Sequence, residues 1–588
     1  MTEAHVWLAR VREFEGTGEL LHAYDTALQG LEKFPGDVWL AHRAVLNLAK
    51  SGATKRAELE FTRLGLDRSI EGDVAALGAR IAKDKALAAP AAERADLLSH
   101  AADLYEEIYR RSGGYYPAIN VATLRLLAGQ EPAARSAARE VLELCRATAG
   151  TGEDMYYRAA SEAEAALILG DVGAAREALV RAASSADLAA RAATRRQLRL
   201  ICDARGADDT VLAPLSPPAV IHYSGHIIAA PGRSGRFLAE QETEIAAGIK
   251  AALDRRNVGF AYGALASGSD ILFAEALLAR DAELHVVLPF SHDEFVKISV
   301  APARARWLER FEACLRGARS VTYATDDEYL GHDALLAYGS FVAMGLAVLR
   351  ARFLDAEVRQ IAVWDGEETT GTAGTGFDVR TWRGLGRETD IIRCNNGAHA
   401  RRTPAVSSPP HGSDRELRAM LFGDVKGFSK LTESQTPAFV THLLGVIGDV
   451  LDSYGDDVLY RNTWGDGLFV VLSEAGIAAR CALELQTALD ALDLPSYGLP
   501  PTLALRIGGH FGPVFKDTDP VLKATNYFGA HVSRTARIEP VTPPGEVYVT
   551  EQFAARLALE RSGYTCDYVG HIPAAKDYGT LRMYHLHG

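Results

Sequence analysis

The feature that most constrains the fold of this chain is a change of sequence character near residue 216. From Met1 to about Gly206 the chain is rich in alanine and leucine and nearly free of β-branched runs. Segments such as ELLHAYDTALQGLEKFPGD and AAREALVRAASSADLAARAATRRQLRL have apolar residues at helical spacing, interrupted by Gly, Pro or Asp. Beyond SPPAV, short apolar runs alternate with helical patterns, which indicates parallel strands joined by helices.

The length and the linker composition give the domain boundaries. A chain of 588 residues is too long for one core, because domains average roughly 100–200 residues. The stretch RCNNGAHARRTPAVSSPPHGSD is polar and rich in Pro, Ser and Gly, which is typical of a linker. We therefore predict an all-α helical repeat domain over 1–210, a doubly wound α/β (Rossmann-like) domain over 217–392, a linker over 393–414 and an α+β domain over 415–588.

Charge and cysteine content limit the partners and the compartment. The net charge of −13 and the pI near 5.8 disfavour nucleic acid as a partner, since binding it requires a basic face. The six cysteines are scattered without a CxxC pair, which favours a reducing compartment. There is no uncharged apolar run of 18 residues and no signal-peptide pattern at the start. We expect a cytoplasmic protein without a membrane span.

The helical region is built from units of two helices joined by a turn. GLEKFPGDVWLAHRAVLNLAKSG and AEAALILGDVGAAREALVRAA both have this pattern, with small residues that allow helices to approach closely. The region resembles degenerate tetratricopeptide-type repeats, and a plain helical bundle is the alternative. Both interpretations predict a scaffold or a surface for a protein partner, and neither provides a catalytic constellation.

The middle region contains a candidate ligand site. Its buried strands are predicted in AVIHYSGHIIA, GFAYGALA, ELHVVLPF, SVTYAT and VRQIAVWDG. In GALASGSDILFAEALL, Gly268 and Ser269 would begin a helix whose free N–H groups could hold a phosphate. The region resembles the SLOG family, which implies a nucleotide-derived ligand. Two alternatives stay open: a purely structural domain, and a nucleotide-processing enzyme using Asp270 and Glu275.

Two acidic turns mark the C-terminal domain. FGDVKGF contains Asp424 and WGDGLFVV contains Asp466, 42 residues further on. The second turn has an apolar arm on each side, which indicates a hairpin. Two strands side by side in one sheet can bring both carboxylates to the same end. Carboxylates held that close repel each other unless a divalent cation lies between them, so the pattern predicts a metal site.

In order and spacing, these motifs resemble the class III nucleotidyl cyclase domain. FGDVKGFSKLT, NTWGDGLFV, RIGGHFGPV, NYFGAHVSRTARIE and GEVYVTEQFA follow one another from about Arg415 to the C-terminus. The resemblance implies a ferredoxin-like α+β fold that converts a nucleoside triphosphate to a 3′,5′-cyclic nucleotide and pyrophosphate, with two Mg²⁺ or Mn²⁺ ions. It also implies a head-to-tail homodimer, because the site of this family forms between two such domains.

The resemblance assigns roles to individual residues. Arg537 would stabilise charge on the α-phosphate, a role that suits a forked guanidinium. Ser533 stands where the family has an asparagine that orients the ribose or the reacting phosphate. The metal site would comprise Asp424, Asp466 and Val425, and the phosphate contacts would come from Lys426, Gly427, Phe428, Ser429 and Lys576.

The base-reading positions depart from the family pattern. Adenylate cyclases commonly have lysine and aspartate where this chain has Asn462 and Asn526. An amide can present a donor or an acceptor, so these positions do not select one base. We favour ATP as the substrate. The alternatives are a pyrimidine (UTP or CTP) cyclase in phage-defence signalling, and a degenerate domain that binds nucleotide as a regulator.

Overall fold

The computed structural model describes residues 3–17, 19–69, 71–147, 153–183, 187–367, 371–394, 415–576 and 578–588. These residues form two compact units. The first comprises residues up to 217 together with 352–356 and 567–570, and the second comprises the remainder. Most of the predicted linker, residues 395–414, lies outside the described residues.

The first unit is entirely helical in its described N-terminal part, as predicted. Its helices are α1 (Glu3–Gly16), α2 (Leu20–Lys33), α3 (Val38–Ser51), α4 (Thr54–Arg63), α5 (Gly72–Ala88), α6 (Ala91–Ser112), α7 (Tyr115–Leu127), α8 (Glu131–Ala147), α9 (Glu153–Leu169), α10 (Val172–Ala183) and α11 (Leu188–Arg205). Consecutive helices contact each other, and α11 also contacts α1, α7 and α9, so the array curls back on itself.

Local capping explains several of these helix boundaries. The Asp37 carboxylate accepts hydrogen bonds from the N–H groups of Trp39 and Leu40 at the start of α3, and Gly52 ends this helix with φ +96°. Such caps satisfy backbone groups that the helix itself leaves free. Alanine-rich inner surfaces then let neighbouring helices meet, as in the cluster around Ala163, Ala178 and Leu198.

The second unit begins with a parallel six-stranded sheet in the order β4-β3-β2-β1-β5-β6. Its strands are β1 (Ala219–Gly225), β2 (Val258–Gly263), β3 (Glu283–Leu288), β4 (Ser320–Tyr323), β5 (Val358–Trp364) and β6 (Thr389–Arg393). The connecting helices are α12 (Glu242–Arg255), α13 (Ser269–Leu278), α14 (His292–Phe295), α15 (Ala305–Gly317), α16 (Ala334–Leu354) and α17 (Thr375–Gly384). The five strands predicted from the sequence are confirmed, and β6 is an additional one.

The C-terminal domain is a mixed eight-stranded sheet with helices. Seven strands follow the order β13-β14-β12-β10-β7-β9-β8, and β11 pairs with β10. The strands are β7 (Arg415–Lys426), β8 (Val458–Trp464), β9 (Gly467–Leu472), β10 (Ala504–Asp519), β11 (Ala524–Phe528), β12 (Val547–Thr550), β13 (Thr565–Pro573) and β14 (Thr580–His587). The helices are α18 (Thr436–Ala438), α19 (Gly445–Asp452), α20 (Ala475–Asp490), α21 (Ala530–Thr535) and α22 (Glu551–Glu560).

Within the second unit, α16 and the segment leading into it contact the C-terminal domain directly. The Tyr338 hydroxyl donates to the carbonyl of Phe511 at 3.0 Å. Thr325 Oγ1 lies 2.9 Å from Nε2 of His531 on α21. A Cβ on Gly345 would lie 2.2 Å from the carbonyl oxygen of Ala555, so glycine is required for this close helix approach. The α/β domain and the C-terminal domain therefore share a packed boundary.

Helix α16 is the one described helix that is long and apolar enough to cross a membrane by length and composition. Of its most apolar window, 67% is buried inside the protein. This degree of burial is typical of a core helix, because a membrane-spanning segment would present its apolar surface to lipid.

Candidate active site

The sheet register brings the two predicted metal carboxylates to one end of the C-terminal domain. Asp424 lies near the end of β7, and its partner across the ladder on β9 is Gly467, the residue after Asp466. A two-residue turn places Asp466 there: Trp464 pairs with Gly467, and Gly465 has φ +72°, a conformation that glycine adopts without strain. The two carboxylates are therefore neighbours, as the motif spacing predicts.

The two carboxylates influence each other electrostatically. Burial raises the pKa of Asp466, and the neighbouring Asp424 carboxylate raises it further. Two like charges held close together repel each other. A pair of neighbouring carboxylates suits a hard divalent cation, because Mg²⁺ and Mn²⁺ prefer oxygen ligands. The residues present therefore fit the metal site that the motifs predict.

An arginine that the sequence analysis did not single out completes this end of the sheet. Arg506 on β10 is the ladder partner of Asp424, and its Nη2 and Nε lie 2.8 and 3.1 Å from Asp424 Oδ2. Its Nε also lies 2.5 Å from Oε1 of Glu539. Burial raises the pKa of Glu539 to about 7, and Asp424 and Asp466 also act to raise it. The Arg506 guanidinium thus contacts two carboxylates, those of Asp424 and Glu539.

The sequence signal for Arg506 is its place at the start of the motif RIGGHFGPV, whose other residues are apolar or glycine apart from His510. The signal could not be interpreted without the register, because Arg506 and Asp424 are 82 residues apart in the chain. Glu539 lies two residues beyond Arg537 in TARIEP and carried no distinct signal.

The predicted phosphate loop follows Asp424 directly. Gly427 has φ +99°, and the chain then forms a 3₁₀ turn over Phe428–Lys430. The first N–H groups of a helical turn have no partner within that turn, so those of Phe428 and Ser429 begin it without one. The Phe428 ring packs against Phe439 with centroids 4.8 Å apart. Any phosphate contact by Phe428 is therefore a contact of its backbone.

Arg537, Ser533 and Lys576 form a second group. Ser533 is exposed on α21, and Arg537 follows one turn later. The N–H of Ala575 donates to the Arg537 carbonyl at 3.1 Å, which fixes the Lys576 loop beside Arg537. Lys576 is exposed with φ +59°. Among the residues that the structure describes, the Arg537 guanidinium forms no ion pair.

The predicted base-reading residues lie on two strands that meet. Asn462 is exposed on β8 and Asn526 is half-buried on β11, and the rings of Tyr460 and Tyr527 join these strands at 6.1 Å. The Asn526 amide is held at both ends: Nδ2 donates to Asp519 at 3.0 Å, and Oδ1 accepts from its neighbour's N–H at 2.8 Å. Its orientation is therefore more fixed than that of a free amide.

The candidate ligand turn of the α/β domain is tightly packed. A Cβ on Gly268 would lie 2.5 Å from the backbone nitrogen of Ile228. The N–H and the hydroxyl of Ser269 both donate to the carbonyl of His226, at 3.2 and 3.0 Å. These donors are already used within the protein. The turn thus serves packing in this structure, and a ligand at Gly268 and Ser269 stays a prediction.

Comparison with known proteins agrees with this geometry. Residues 414–588 match the family described as Adenylate and Guanylate cyclase catalytic domain. Residues 19–125 match the family described as Tetratricopeptide Repeats-Sensor. The C-terminal domain is accordingly a nucleotidyl cyclase catalytic domain, and the chain combines it with a helical repeat region of the sensor type. No curated protein matches the chain.

Solved cyclase structures align with the same third of the chain. The adenylyl cyclase CyaB from P. aeruginosa is 16% identical, with a TM-score of 0.27, over 30% of this chain and 97% of that one. The guanylate cyclase domain of RhGC from Catenaria anguillulae, in complex with GTP, is 17% identical, with a TM-score of 0.26, over 30% and 99%. An adenylate cyclase from Trypanosoma brucei is 22% identical, with a TM-score of 0.25, over 32% and 94%.

Proposed function

We propose that the C-terminal domain converts a nucleoside triphosphate, with ATP as the first choice, to a 3′,5′-cyclic nucleotide and pyrophosphate. The observation that carries this proposal is the pair Asp424–Asp466 at one end of the sheet, next to the phosphate loop at Gly427. When bound there, two Mg²⁺ or Mn²⁺ ions supply a Lewis acid for the ribose 3′-hydroxyl and positive charge for the triphosphate.

The protein's own residues position the triphosphate. The turn after Gly427 offers backbone N–H groups to phosphate oxygens, with Lys426 and Lys576 as charged partners. Arg506 is held beside Asp424, so its guanidinium can turn from the carboxylate to a phosphate oxygen when substrate enters. Arg537, which has no ion pair among the described residues, is available for charge that develops on the α-phosphate.

The site is proposed to form between two copies of the chain arranged head to tail. In this arrangement Asp424 and Asp466 of one copy face Arg537, Ser533 and Lys576 of the other. The contacts within one copy support it: Asp424 pairs with Arg506, whereas Arg537 is tied by its backbone to the Lys576 loop. One catalytic domain per chain then gives two sites per dimer.

The identity of the base rests on Asn462 and Asn526. The Asn526 amide keeps one N–H and one oxygen lone pair beyond its internal bonds, so it can still donate or accept. ATP is proposed on the family resemblance, and UTP or CTP remains the second candidate because of this neutral pair.

The α/β domain is proposed to sense a nucleotide-derived ligand. The free cysteines fit a reducing cytoplasm.

The deciding experiment is incubation of the full chain with each nucleoside triphosphate and Mn²⁺, followed by identification of the products by mass. We expect a cyclic nucleotide and pyrophosphate from one preferred substrate. Asp424→Ala or Asp466→Ala should reduce activity at least about a hundredfold, because each change removes a metal ligand. Asp449→Ala, at an exposed position on α19 of the same domain, is the matched control. Substantial activity in Asp466→Ala would refute the two-carboxylate site.

A further inference from the structure

The inner helices of the helical repeat unit present polar side chains to one another. Lys83 on α5 donates to Asn120 Oδ1 on α7 and to Gln197 Oε1 on α11, both at 3.2 Å. Gln197 donates in turn to Glu164 Oε2 on α9 at 3.3 Å, and Thr123 donates to the same oxygen at 3.3 Å. Four helices that are distant in sequence thus share one polar network.

Four cations lie around this network: Lys50, Arg80, Lys83 and Arg196. Among the described residues, none of them forms a hydrogen bond with a carboxylate. Lys83 donates to amide oxygens, and Arg196 donates to the carbonyls of Phe353 and Lys50 at 2.9 and 3.5 Å. The carboxylate nearest to Arg80, that of Asp84, is 3.6 Å away, and Arg80 Nε is buried with no hydrogen-bond partner among the described residues.

These cations also repel one another. Burial lowers the pKa of Lys50, of Lys83 and of Arg196, and in each case Arg80 lowers it further. Like charges confined in a poorly solvated space raise the free energy of the ligand-free protein. An anion placed between them would remove this cost.

The acidic groups that face the cluster are largely neutralised already. Glu15 is bound by Arg43 at 2.9 Å and by Asn47 at 2.7 Å. Asp355 is bound by Arg195 and Arg199, and burial raises the pKa of Glu164 to about 7. Asp84 and Asp187 also lie near the four cations, and Asp187 accepts a hydrogen bond from the N–H of Ala190 at the start of α11. The four cations therefore outnumber these two carboxylates.

Solvent reaches this region although protein surrounds it. Tyr116 on α7 is 43% exposed, yet burial raises the pKa of its hydroxyl. The side chains of Arg80 and Asp84 are each 20% exposed. These side chains border the region of the cations and are partly accessible to solvent. A small ligand can therefore reach the cations without unfolding the helical array.

We propose that this cluster, defined by Lys50, Arg80, Lys83, Tyr116 and Arg196, binds a small phosphate-bearing anion. Every group named presents a hydrogen-bond donor, and guanidinium and ammonium groups are the preferred partners of phosphate oxygens. The ligand would bridge α3, α5, α7 and α11. Since it binds only the folded array, it raises the stability of the first unit.

The test uses inorganic pyrophosphate as the probe and the full chain with Asp466→Asn, in the presence of EDTA. These conditions suppress metal-dependent binding of pyrophosphate at the cyclase site. Isothermal titration should show one pyrophosphate per chain, and pyrophosphate should raise the unfolding temperature. Arg80→Met and Lys83→Met should each weaken binding about tenfold or more, because each removes a charged donor. Lys55→Met, at an exposed position on α4, should leave the affinity unchanged.

The folded state of each variant is checked by its unfolding temperature without ligand. Lys83→Met replaces a cation whose pKa burial lowers, so it should maintain or raise this temperature. Arg80→Met removes the cation that pairs with Asp84 and should lower it, so Lys83→Met carries the test if Arg80→Met does not fold. The proposal is overturned if pyrophosphate does not bind at about 1 mM, or if Lys55→Met weakens binding as much as Arg80→Met. Binding that is insensitive to both Arg80→Met and Lys83→Met would also overturn it. Tighter binding of citrate than of pyrophosphate would refute phosphate as the ligand class.

Discussion

Arg506 and Asp424 face each other across the β7–β10 ladder, and the guanidinium donates two hydrogen bonds to one oxygen of the carboxylate, at 2.8 and 3.1 Å. Asp424 is also the carboxylate that we assign to the metal site. A cation that binds Asp424 must therefore compete with an arginine that already neutralises it. We propose that displacement of Arg506 from Asp424 by the metal frees the guanidinium to contact the triphosphate.

Arg506→Met should separate metal binding from catalysis. Without nucleotide, the variant should bind Mn²⁺ more tightly than the wild type, because no guanidinium competes for Asp424 Oδ2. Its kcat should fall about a hundredfold, since a charged donor to the phosphates is lost. Mn²⁺ titration monitors the first effect and product formation the second. Arg480→Met, at an exposed site in the same domain, should change neither quantity. Weaker Mn²⁺ binding by Arg506→Met would contradict the competition.

A mixing experiment tests the shared site. Asp466→Ala and Arg537→Ala should each be inactive alone, because each lacks one required group at both sites. After subunit exchange, the heterodimer has one intact site and one site with both defects. With random pairing, activity should return to about a quarter of the wild-type value. The measurement is product formation by the unselected mixture, and two different tags on the chains show that heterodimers have formed.

The control for this experiment mixes Asp424→Ala with Asp466→Ala. Both changes affect the carboxylate half of the site, so every heterodimer has two defective sites and activity should stay absent. Recovery in this control, or no recovery in the Asp466→Ala and Arg537→Ala mixture despite proven heterodimers, would show that the carboxylates and Arg537 do not act across an interface.

Sequence patterns predicted what depends on local order. Asp466 lies in a Gly-Asp-Gly turn between two apolar arms, and this pattern by itself specifies a hairpin with the carboxylate at its tip. The five buried strands of the α/β domain were equally evident from their apolar runs. Strand β6 was missed because TDIIR is short and half-buried at the sheet edge, so it carries little apolar signal.

Contacts between distant segments could not be predicted in the same way. The Arg506–Asp424 pair depends on the register of two strands, and a shift by one residue would move Arg506 to the other face. The cations around Lys83 come from helices whose inner faces meet only when the array curls, and each helix alone looks like an ordinary amphipathic helix with polar residues on one side.

The base preference can be tested by restoring a charged pair. Asn462→Lys with Asn526→Asp should sharpen selection for ATP, because lysine only donates and aspartate only accepts. Asn526 lies 3.0 Å from Asp519, so Asn526→Asp alone would place two carboxylates in contact. The change is therefore made together with Asp519→Asn. The measurement is the ratio of kcat/KM values for ATP, UTP and CTP.

Asp519→Asn alone is the control, and it should leave this ratio close to that of the wild type. An unchanged ratio in an active triple variant would mean that Asn462 and Asn526 do not contact the base. A wild-type enzyme that uses only UTP or CTP would refute ATP as the substrate and would favour the pyrimidine alternative.

A buried histidine pair connects the C-terminal sheet to the α/β domain. His510 Nδ1 lies 2.8 Å from Thr550 Oγ1, His510 Nε2 lies 2.7 Å from His531 Nδ1, and His531 Nε2 lies 2.9 Å from Thr325 Oγ1. Burial is the first cause that holds the pKa of both histidines well below 6.5. Both rings are therefore neutral in the folded protein.

This pair should make the second unit sensitive to acid. Below pH 6.5 the unfolded chain binds protons at both histidines and the folded protein does not, so stability falls as the pH falls. Between pH 7.5 and 5.5 the two groups together should cost about 3 kcal/mol of unfolding free energy. Urea unfolding measures the effect in the double variant His510→Gln with His531→Gln. Over this pH range its free energy of unfolding should fall by about 3 kcal/mol less than that of the wild type. His100→Gln, at an exposed site on α6, should behave like the wild type. Equal acid sensitivity of the double variant and the wild type would show that the buried pair does not cause the effect.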